Sequence, residues 1–414
     1  MSGNMISISP TLQSKMYMEE LQKQGKKVFN FGLGQNSVKQ PELYIDLVKK
    51  YAHKKEYTSS QGIPELNKTL KSMYDTENMS YEILVGNGLK ELLFIVQSAF
   101  KGKIIHVTPS WVSYKEHIDL LERNDDLIEI KTTIDTKFRV DLNILDKTLQ
   151  DIGSGPKMIL LNYPNNPTGI CYSNQELESM AKILKKHNCV VFGDEIYLNL
   201  SYNPKQRSLS YYIPELVIRG SSVSKDLACG GYRVGWCAFP KTLDTLFAKC
   251  CNYASRVYSC AAVPIQYATA DLLENKELCR SYADKTKELF SHIIKELMPF
   301  LDNTKLKHPG IEASWYVYLD FHSYKEGLKK IGVQDSIQLS HYLMVNHHIL
   351  TVAAQHFGDN SLSLRFSLVD FEFDLEKGDI KDVNTENMKE GFQELVRFLD
   401  SLYTNTNILD KKCV

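Results

Sequence analysis

A lysine with the surroundings that carbonyl chemistry needs follows a predicted strand. The apolar run Leu216–Gly220 leads into Ser221–Lys225, which holds three serines and ends in Lys225. Arg233 stands eight residues further on, in a segment flanked by glycines. Hydroxyls and a guanidinium suit a phosphate group, and an amine held in a dry pocket can lose its proton and attack a carbonyl. Taken alone, Lys225 would be interpreted as a solvated surface lysine, as most lysines are.

A second candidate is a carboxylate at the end of another predicted strand. The apolar run Val190–Gly193 leads directly into Asp194 and Glu195, and Tyr197 follows two residues later. An unpaired carboxylate is costly at the end of a buried strand. Asp194 is therefore predicted either to meet a cationic ligand group or to serve as a helix N-cap or a solvated strand end.

Two further segments have the residue types of ligand-binding turns. Asn162–Gly169 follows the strand-like run Met158–Asn162 and presents asparagine amides at its carboxyl end, where ligands bind in open α/β sheets. Val85–Glu91 places Gly86 and Gly88 before a predicted helix, so that free backbone N–H groups can hold a phosphate. Either segment alone is a weak signal, because the first can be only a sharp turn and the second is neither a Walker nor a dinucleotide motif.

These residues must be positioned by strands and helices that alternate along the chain. Short apolar runs predict parallel strands that are buried on both faces, and amphipathic stretches between them predict helices. Ser173 with Glu176 resembles a capping box. The predicted strands are Ile104–Val107, Met158–Asn162, Val190–Gly193, Leu216–Gly220 and Val234–Phe239, and the predicted helices are Leu89–Phe100, Ser173–His187 and Lys241–Tyr253. This alternation predicts an α/β fold with a mostly parallel sheet.

The C-terminal part of the chain predicts a smaller α+β lobe. Its predicted elements are helix Lys285–Leu297, strand Ser314–Leu319, helix Asp335–Asn346, strand Ser363–Ser367 and helix Asn384–Leu402, with a surface loop at Asp370–Asp382. A chain of 414 residues exceeds what one hydrophobic core usually holds. We therefore expect an N-terminal segment at 1–44, a large domain at 45–260 and a small domain at 261–414.

Composition and charge restrict the classes of function. The formal net charge is −1, which does not favour a nucleic-acid or membrane partner. No apolar run approaches the roughly 18 residues of a membrane span, and the first thirty residues lack a signal peptide's apolar region, so a cytoplasmic location is predicted. The nine cysteines lack metal-ligand spacing, so we predict reduced thiols and no metal site. Cys413 is penultimate, so the C-terminus is no prenylation box.

Four short motifs follow one another along the chain. They read Asn-Asn-Pro-Thr-Gly at 165–169, Asp-Glu-x-Tyr at 194–197, Ser-x-Ser-Lys at 222–225 and Gly-x-Arg-x-Gly-Trp at 231–236. The series resembles the class I/II aminotransferases, which are pyridoxal 5′-phosphate (PLP) enzymes of fold type I, and in particular their aspartate-aminotransferase-like branch. The resemblance implies a large lobe with a mostly parallel, seven-stranded type of sheet flanked by helices, and a smaller α+β lobe. It also implies a homodimer and ping-pong transfer of an amino group from an L-amino acid to a 2-oxo acid.

The resemblance implies a role for each matching residue. Lys225 matches the catalytic lysine that holds PLP as a Schiff base, and Asp194 matches the carboxylate that pairs with the pyridinium nitrogen. Tyr197 and Asn166 match the groups that hydrogen-bond the phenolic oxygen, and Trp111 matches an aromatic stacked on the ring, with a core tryptophan as the alternative. The implied phosphate ligands are Gly88, Leu89, Lys90, Ser222, Arg233 and, from the neighbouring subunit, Tyr57; the implied ligands of the substrate α-carboxylate are Arg365, Gly34 and Asn166.

Substrate identity is left open by two departures from the family pattern. Gln35–Ser37 and Glu312–Trp315 both fall near the expected pocket for the substrate side chain. Arg256 either binds a distal carboxylate or is a surface arginine at a helix end. Two rival hypotheses stand beside an aminotransferase: another fold type I PLP enzyme, such as a C–S lyase, cyclopropane-forming synthase or decarboxylase, and an inactive PLP-binding or dimerisation module.

Overall fold

Strands and helices alternate through most of the chain in a computed structural model, which describes residues 10–404. In chain order the strands are β1(Phe29–Asn30), β2(Tyr81–Gly86), β3(Lys103–Thr108), β4(Leu127–Lys131), β5(Lys157–Asn162), β6(Val190–Asp194), β7(Val217–Ser222), β8(Gly235–Pro240), β9(Tyr316–Asp320), β10(Ile349–Leu350), β11(Val352–Ala353) and β12(Ser363–Ser367). The helices are α1(Pro10–Lys23), α2(Glu42–Tyr51), α3(Pro64–Tyr74), α4(Leu89–Ala99), α5(Ser113–Leu120), α6(Leu142–Ile152), α7(Asn174–Lys186), α8(Asp244–Val257), α9(Val263–Glu274), α10(Lys276–Leu297), α11(Lys325–Lys330), α12(Ser336–His347) and α13(Glu386–Thr404).

The large sheet has seven strands in the order β2-β8-β7-β6-β5-β3-β4. Strand β8 runs antiparallel to both of its neighbours, and the other pairs are parallel. The five predicted strands of this lobe are confirmed as β3, β5, β6, β7 and β8. Strands β2 and β4, at the two edges of the sheet, were not predicted. On β4 only Ile130 is buried, so its sequence lacks the continuous apolar run of its neighbours.

The register of the central strands explains why the candidate residues meet. Asn162 at the end of β5 pairs with Asp194 at the end of β6, and Asp194 pairs with Gly220 near the end of β7. Parallel strands place their carboxyl ends at one edge, where ligands bind in open α/β sheets. The turn after β5, the carboxylate of β6 and the lysine after β7 therefore share one edge of the sheet.

The helices of the large lobe pack against this sheet much as predicted. Helix α4 covers the predicted helix Leu89–Phe100 and is largely buried. Helix α7 starts at the predicted capping box, in which Ser173 Oγ accepts from the Glu176 backbone and Glu176 Oε2 accepts from the Ser173 backbone. The predicted helix Lys241–Tyr253 begins with a 3₁₀ turn and continues as α8 to Val257.

Replacing Ser173 by alanine is expected to lower the free energy of unfolding by about 1 kcal/mol, since the Glu176 backbone N–H would lose its side-chain acceptor. Urea unfolding followed by circular dichroism measures the change. Ser281→Ala is the control, because Ser281 is exposed within α10. It should change stability by less than about 0.5 kcal/mol, and equal effects of the two changes would contradict a capping role.

The smaller sheets lie in the C-terminal part and include a piece of the N-terminal segment. Strands β11, β12 and β9 form an antiparallel sheet, and β1 pairs in parallel with β10. The predicted helix Lys285–Leu297 is the second half of the longer helix α10. The predicted surface loop Asp370–Asp382 buries Phe371 and Phe373, so part of it belongs to the core.

The α/β fold is confirmed, and the domain boundaries stay a prediction. Every strand of the large sheet lies between residues 81 and 240, within the predicted large domain 45–260. The predicted segments 1–44 and 261–414 include residues 1–9 and 405–414, which lie outside the described residues, as does Cys413. Among the helices of residues 10–404, none has the length and apolar character that a membrane crossing requires.

Candidate active site

Most of the predicted site residues line one cavity of about 340 Å³, a volume typical of small-molecule sites. Ten of them contribute to its wall: Gly34, Leu89, Lys90, Trp111, Asn166, Asp194, Tyr197, Lys225, Arg233 and Arg365. The wall also contains residues to which no role was assigned from sequence, including Gln35, Val112, Asn162, Ile196, Ser224, Gly230 and Tyr316. Among the described residues, this wall contains four cationic side chains and one carboxylate, that of Asp194.

The N-terminal segment hydrogen-bonds both the side chain and the backbone of Lys225. Its Nζ donates to the Gly34 carbonyl at 2.6 Å, and Asn36 Nδ2 donates to the Lys225 carbonyl at 2.9 Å. Burial, followed by the nearby Arg365 charge, lowers the pKa of Lys225 to about 8, although the Asp194 carboxylate acts in the opposite direction. A larger fraction of this amine is therefore neutral near pH 7 than for an ordinary lysine.

Asp194 is a buried carboxylate with hydrogen bonds but no ion pair within the described residues. Tyr114 donates its hydroxyl proton to Oδ2 at 2.8 Å, and the Ile196 backbone N–H lies 3.3 Å from Oδ1. Burial raises the pKa of Asp194 to about 6 despite these bonds. The adjacent Glu195 is paired with Arg219 at 2.7 Å. Of these two neighbouring carboxylates, Asp194 is thus the one that a cationic ligand group would stabilise.

The turn after β5 connects this carboxylate to an arginine from the smaller sheet. Asn162 Nδ2 donates to the Asp194 carbonyl at 3.0 Å, and Asn162 Oδ1 accepts from the Asn166 backbone at 2.7 Å. Asn166 Oδ1 accepts from Arg365 Nη1 at 2.9 Å, and the Gly32 carbonyl accepts from Nη2 at 2.7 Å. Arg365 is 2% exposed, and its Nε has no hydrogen-bond partner within the described residues. Its guanidinium can therefore bind a carboxylate.

The start of helix α4 forms a cradle for an anion. Gly88 precedes the helix at φ +92°, and no side chain of residues 10–404 caps the first turn. A Cβ at Gly235 would lie 2.6 Å from the Leu89 nitrogen, so only glycine permits this approach of β8. Arg233 is fixed beside the turn by bonds to the carbonyls of Gly230 and Asn87. An uncapped helix N-terminus beside a guanidinium suits a phosphate.

Trp111 lines the cavity with the Lys90 ammonium 5.2 Å from its ring centre. Its ring is partly exposed and meets Tyr114 edge-on. Trp111 is therefore available to a flat ligand and is not a wholly enclosed core residue.

Three predicted ligands and Arg256 lie outside the cavity wall, and Glu312–Trp315, which was expected near the pocket for the substrate side chain, contributes no residue to it. Gly88 lies directly behind it, against Arg233. Ser222 is buried, and its hydroxyl accepts from the Ser224 backbone at 3.1 Å. Tyr57 is 89% exposed, and Arg256 is an exposed residue of α8 that bonds Asn252. Their assigned roles stay predictions.

Tyr114 and Tyr316 are functional candidates that sequence reasoning missed. Tyr114 contacts Asp194, and Tyr316 places its hydroxyl 2.7 Å from that of Tyr197. Tyrosine is common in this chain, with 23 examples, and most large aromatic residues are core residues. Only the position of Tyr114, three residues after Trp111, could have drawn attention to it.

A comparison with protein families shows the family to which the chain belongs. The family model described as aminotransferase class I and II matches residues 26–372. The chain belongs to this family. Aminotransferases of these classes depend on PLP.

Individual aminotransferases resemble the chain over most of its length. It is 26% identical to an aspartate aminotransferase from Sulfolobus acidocaldarius, over 96% of each chain. It is 27% identical to an asparagine–oxo-acid transaminase from Streptococcus mutans, over 84% of this chain and 89% of that one. A solved structure of aspartate aminotransferase from Thermus thermophilus with maleate superposes with a TM-score of 0.81 at 22% identity, covering 94% and 97% of the two chains. The chain is an aminotransferase with the aspartate aminotransferase fold.

The cavity contains what PLP requires. The uncapped start of α4 with Arg233 suits its phosphate, and the unpaired Asp194 suits a protonated ring nitrogen. Lys225 supplies an amine of lowered pKa in the same cavity. The residues of the site therefore fit the cofactor on which the family depends.

Proposed function

We propose that this aminotransferase binds PLP in the 340 Å³ cavity and moves an amino group from an L-amino acid to a 2-oxo acid, with Lys225 as its catalytic lysine. The observation that carries the proposal is the presence of three complementary groups in one cavity wall. They are the amine of Lys225, the unpaired carboxylate of Asp194 and the buried guanidinium of Arg365. Together they provide a nucleophile, an anchor for a cationic ring and a clamp for a carboxylate.

The cofactor would be held from several sides. Asp194 would pair with the ring nitrogen, and Asn166 and Tyr197 would hydrogen-bond the phenolic oxygen. The start of α4 and Arg233 would bind the phosphate, and Trp111 would cover a ring face. When bound, PLP supplies the electron sink that allows the amino acid to lose its α-proton.

Two side chains then act on the amino acid itself. Arg365 binds the α-carboxylate, which limits rotation and fixes the direction of the Cα–H bond. As general base, Lys225 Nζ accepts the proton from Cα of the donor; as general acid in the second half-reaction, it gives a proton to the carbon that becomes Cα of the new amino acid. Its lowered pKa favours the neutral amine that this task requires. The Gly34 carbonyl, 2.6 Å from Nζ, orients the amine between these transfers.

We infer that the acceptor is 2-oxoglutarate and that the donor is an L-amino acid, with aspartate as the first to be tested. The support comes from the relatives, which are named for aspartate and for asparagine, and from the maleate in the Thermus structure, since maleate is a dicarboxylate. Gln35 and Val112 line the cavity beside the predicted site residues and differ in polarity. They are the side chains that we expect to contact the variable group of the substrate.

The test is an end-point screen of purified protein with PLP, individual L-amino acids and 2-oxoglutarate. We expect glutamate and the matching oxo acid to form. The donor alone is expected to convert the PLP absorbance to that of pyridoxamine phosphate. Release of pyruvate, ammonia or carbon dioxide without any acceptor would instead indicate a lyase or decarboxylase. Absence of PLP binding would refute the proposed use of the cavity.

Capture of PLP by the ligand-free protein should depend on pH through Lys225. The amine attacks the aldehyde only when neutral, so the rate should rise with pH, about tenfold per unit, up to about pH 8 and level off above it. Stopped-flow absorbance measures this rate. The control is Nα-acetyl-lysine, whose amine has an ordinary pKa and whose rate should rise to about pH 10. A protein profile that follows the free amino acid would contradict an activated Lys225.

A homodimer is proposed because Tyr57 is 89% exposed and outside the cavity of its own chain. If Tyr57 reaches the phosphate of a second copy, Tyr57→Phe should weaken PLP affinity about three- to tenfold, the usual loss for one hydrogen bond. Fluorescence titration of the ligand-free protein gives the affinity, and sedimentation equilibrium gives the mass. Tyr211→Phe, at another exposed tyrosine, is the control. A monomer at micromolar concentration would contradict the proposed homodimer.

The cytoplasmic location of the protein stays a prediction.

A further inference from the structure

Tyr316 contacts three groups of the site. It is fully buried on strand β9, and its hydroxyl lies 2.7 Å from the Tyr197 hydroxyl and 3.5 Å from the Gly34 carbonyl. The Arg365 guanidinium lies 4.8 Å from the centre of its ring. A Cβ at position 34 would come within 2.6 Å of the Tyr316 hydroxyl, so the glycine leaves room for this side chain.

The two tyrosine hydroxyls must share their protons in a definite direction. Burial raises the pKa of both Tyr197 and Tyr316, so each phenol keeps its one proton. Either Tyr316 donates to the Gly34 carbonyl and accepts from Tyr197, or it donates to Tyr197 and leaves the Tyr197 proton free for another acceptor. The Gly34 carbonyl already accepts from Lys225 Nζ at 2.6 Å, whereas the Tyr316 hydroxyl lies 3.5 Å from it. The second arrangement therefore leaves no group unsatisfied when an acceptor stands in front of Tyr197.

We propose that the Tyr316 hydroxyl donates to Tyr197 and thereby aims and strengthens the hydrogen bond from Tyr197 to the phenolic oxygen of PLP, which makes Tyr316 a positioning residue. This inference rests on the proposed binding of PLP in the cavity. A hydroxyl that accepts a hydrogen bond becomes a better donor, because the bonds in a chain polarise one another. Tyr316 itself lines the cavity, but its hydroxyl acts on the phenolic oxygen through Tyr197.

The ring of Tyr316 and its hydroxyl have separable tasks. The ring lies against Arg365 and meets the Tyr197 ring edge-on, whereas the hydroxyl makes the hydrogen bond to Tyr197. Tyr316→Phe keeps the ring and removes only the hydroxyl. If Tyr316 acts only through its packing or by placing Arg365, this variant should behave like the parent. If Tyr316 acts through its hydrogen bond to Tyr197, the variant should show the full effect.

The experiment uses PLP-loaded protein and follows the absorbance of bound PLP as a function of pH. A hydrogen bond donated to the phenolic oxygen stabilises its anionic form, so weakening that bond raises the pKa at which bound PLP takes up a proton. Tyr316→Phe is expected to raise the titration midpoint by about 0.5 to 1 unit, as the loss of one polarising bond would. It should lower kcat several-fold while KM for the amino acid changes less than about twofold.

Tyr318→Phe is the matched control. Tyr318 is another fully buried tyrosine two residues along β9, and its hydroxyl donates to Asp359 Oδ2 at 2.7 Å, outside the cavity wall. This variant loses a buried hydroxyl from the same strand and should leave the titration midpoint within about 0.2 unit of the parent. Thermal unfolding measures whether both variants fold, and cooperative transitions are expected for both.

Several outcomes would overturn the inference. An unchanged midpoint in folded, PLP-loaded Tyr316→Phe would show that Tyr316 does not act on Tyr197, and an equal shift in Tyr318→Phe would assign the effect to the strand. Tyr197→Phe gives the upper limit and should shift the midpoint further than Tyr316→Phe. A parent protein that binds no PLP would refute the proposed function, which is a different failure.

Discussion

Lys225→Ala is expected to lower the rate of transamination by about 10³-fold or more, because the site would lose its amine nucleophile and its general base at once. Lys225 is the lysine of the cavity wall that the N-terminal segment holds from both sides, through Gly34 and Asn36. Single-turnover measurements with the PLP-loaded variant and the best donor from the screen give the rate. The fold should survive, since the side chain lines a cavity and its hydrogen bond is to the carbonyl of Gly34, which lines the same cavity.

Two further variants test whether the loss of activity is specific to the amine of Lys225. Lys225→Arg keeps a cation beside the Gly34 carbonyl but cannot deprotonate, so it should be as inactive as the alanine variant. Lys241→Ala, at an exposed lysine that follows β8, should retain parental activity. In the parent, borohydride reduction should leave the cofactor on the tryptic peptide that contains Lys225. Parental turnover by Lys225→Ala, or a reduced adduct on another lysine, would contradict the site assignment.

The part of the site that could be predicted is the part that lies at strand ends. Lys225, Asp194 and Asn166 each follow a buried apolar run, and parallel strands of one sheet end at one edge. Their proximity therefore follows from local patterns. Arg365 was assigned its role only through the family resemblance. Its strand belongs to the smaller sheet, and the local sequence does not indicate which surface the side chain faces.

The contacts that could not be predicted join segments far apart in the chain. Tyr114 and Asp194 are 80 residues apart, and Tyr197 and Tyr316 are 119 apart. Each depends on how a helix or the smaller sheet packs on the large sheet, and residue type does not separate such tyrosines from ordinary core aromatics. Asn36 was noticed only as a departure from the family pattern, yet its amide holds the Lys225 backbone.

Arg365→Gln is expected to lower kcat/KM for amino acids by roughly 30- to 900-fold, which corresponds to the 2–4 kcal/mol lost when one partner of a buried, hydrogen-bonded charge pair is removed. Arg365 is 2% exposed, so water cannot replace the guanidinium that would bind the α-carboxylate. Steady-state kinetics with the preferred donor measure the loss. Arg365→Lys keeps the charge without the planar fork and should fall between the parent and the glutamine variant.

The substrate supplies the decisive control for Arg365. A primary amine with the same side chain but no carboxylate cannot use the clamp, so it should react slowly with the parent and equally slowly with Arg365→Gln. The cycle of two proteins and two substrates then isolates the energy of the guanidinium–carboxylate pair from any general damage to the site. If the variant lost activity toward the amine as strongly as toward the amino acid, Arg365 would be supporting the fold through Asn166 and Gly32 and not binding the carboxylate.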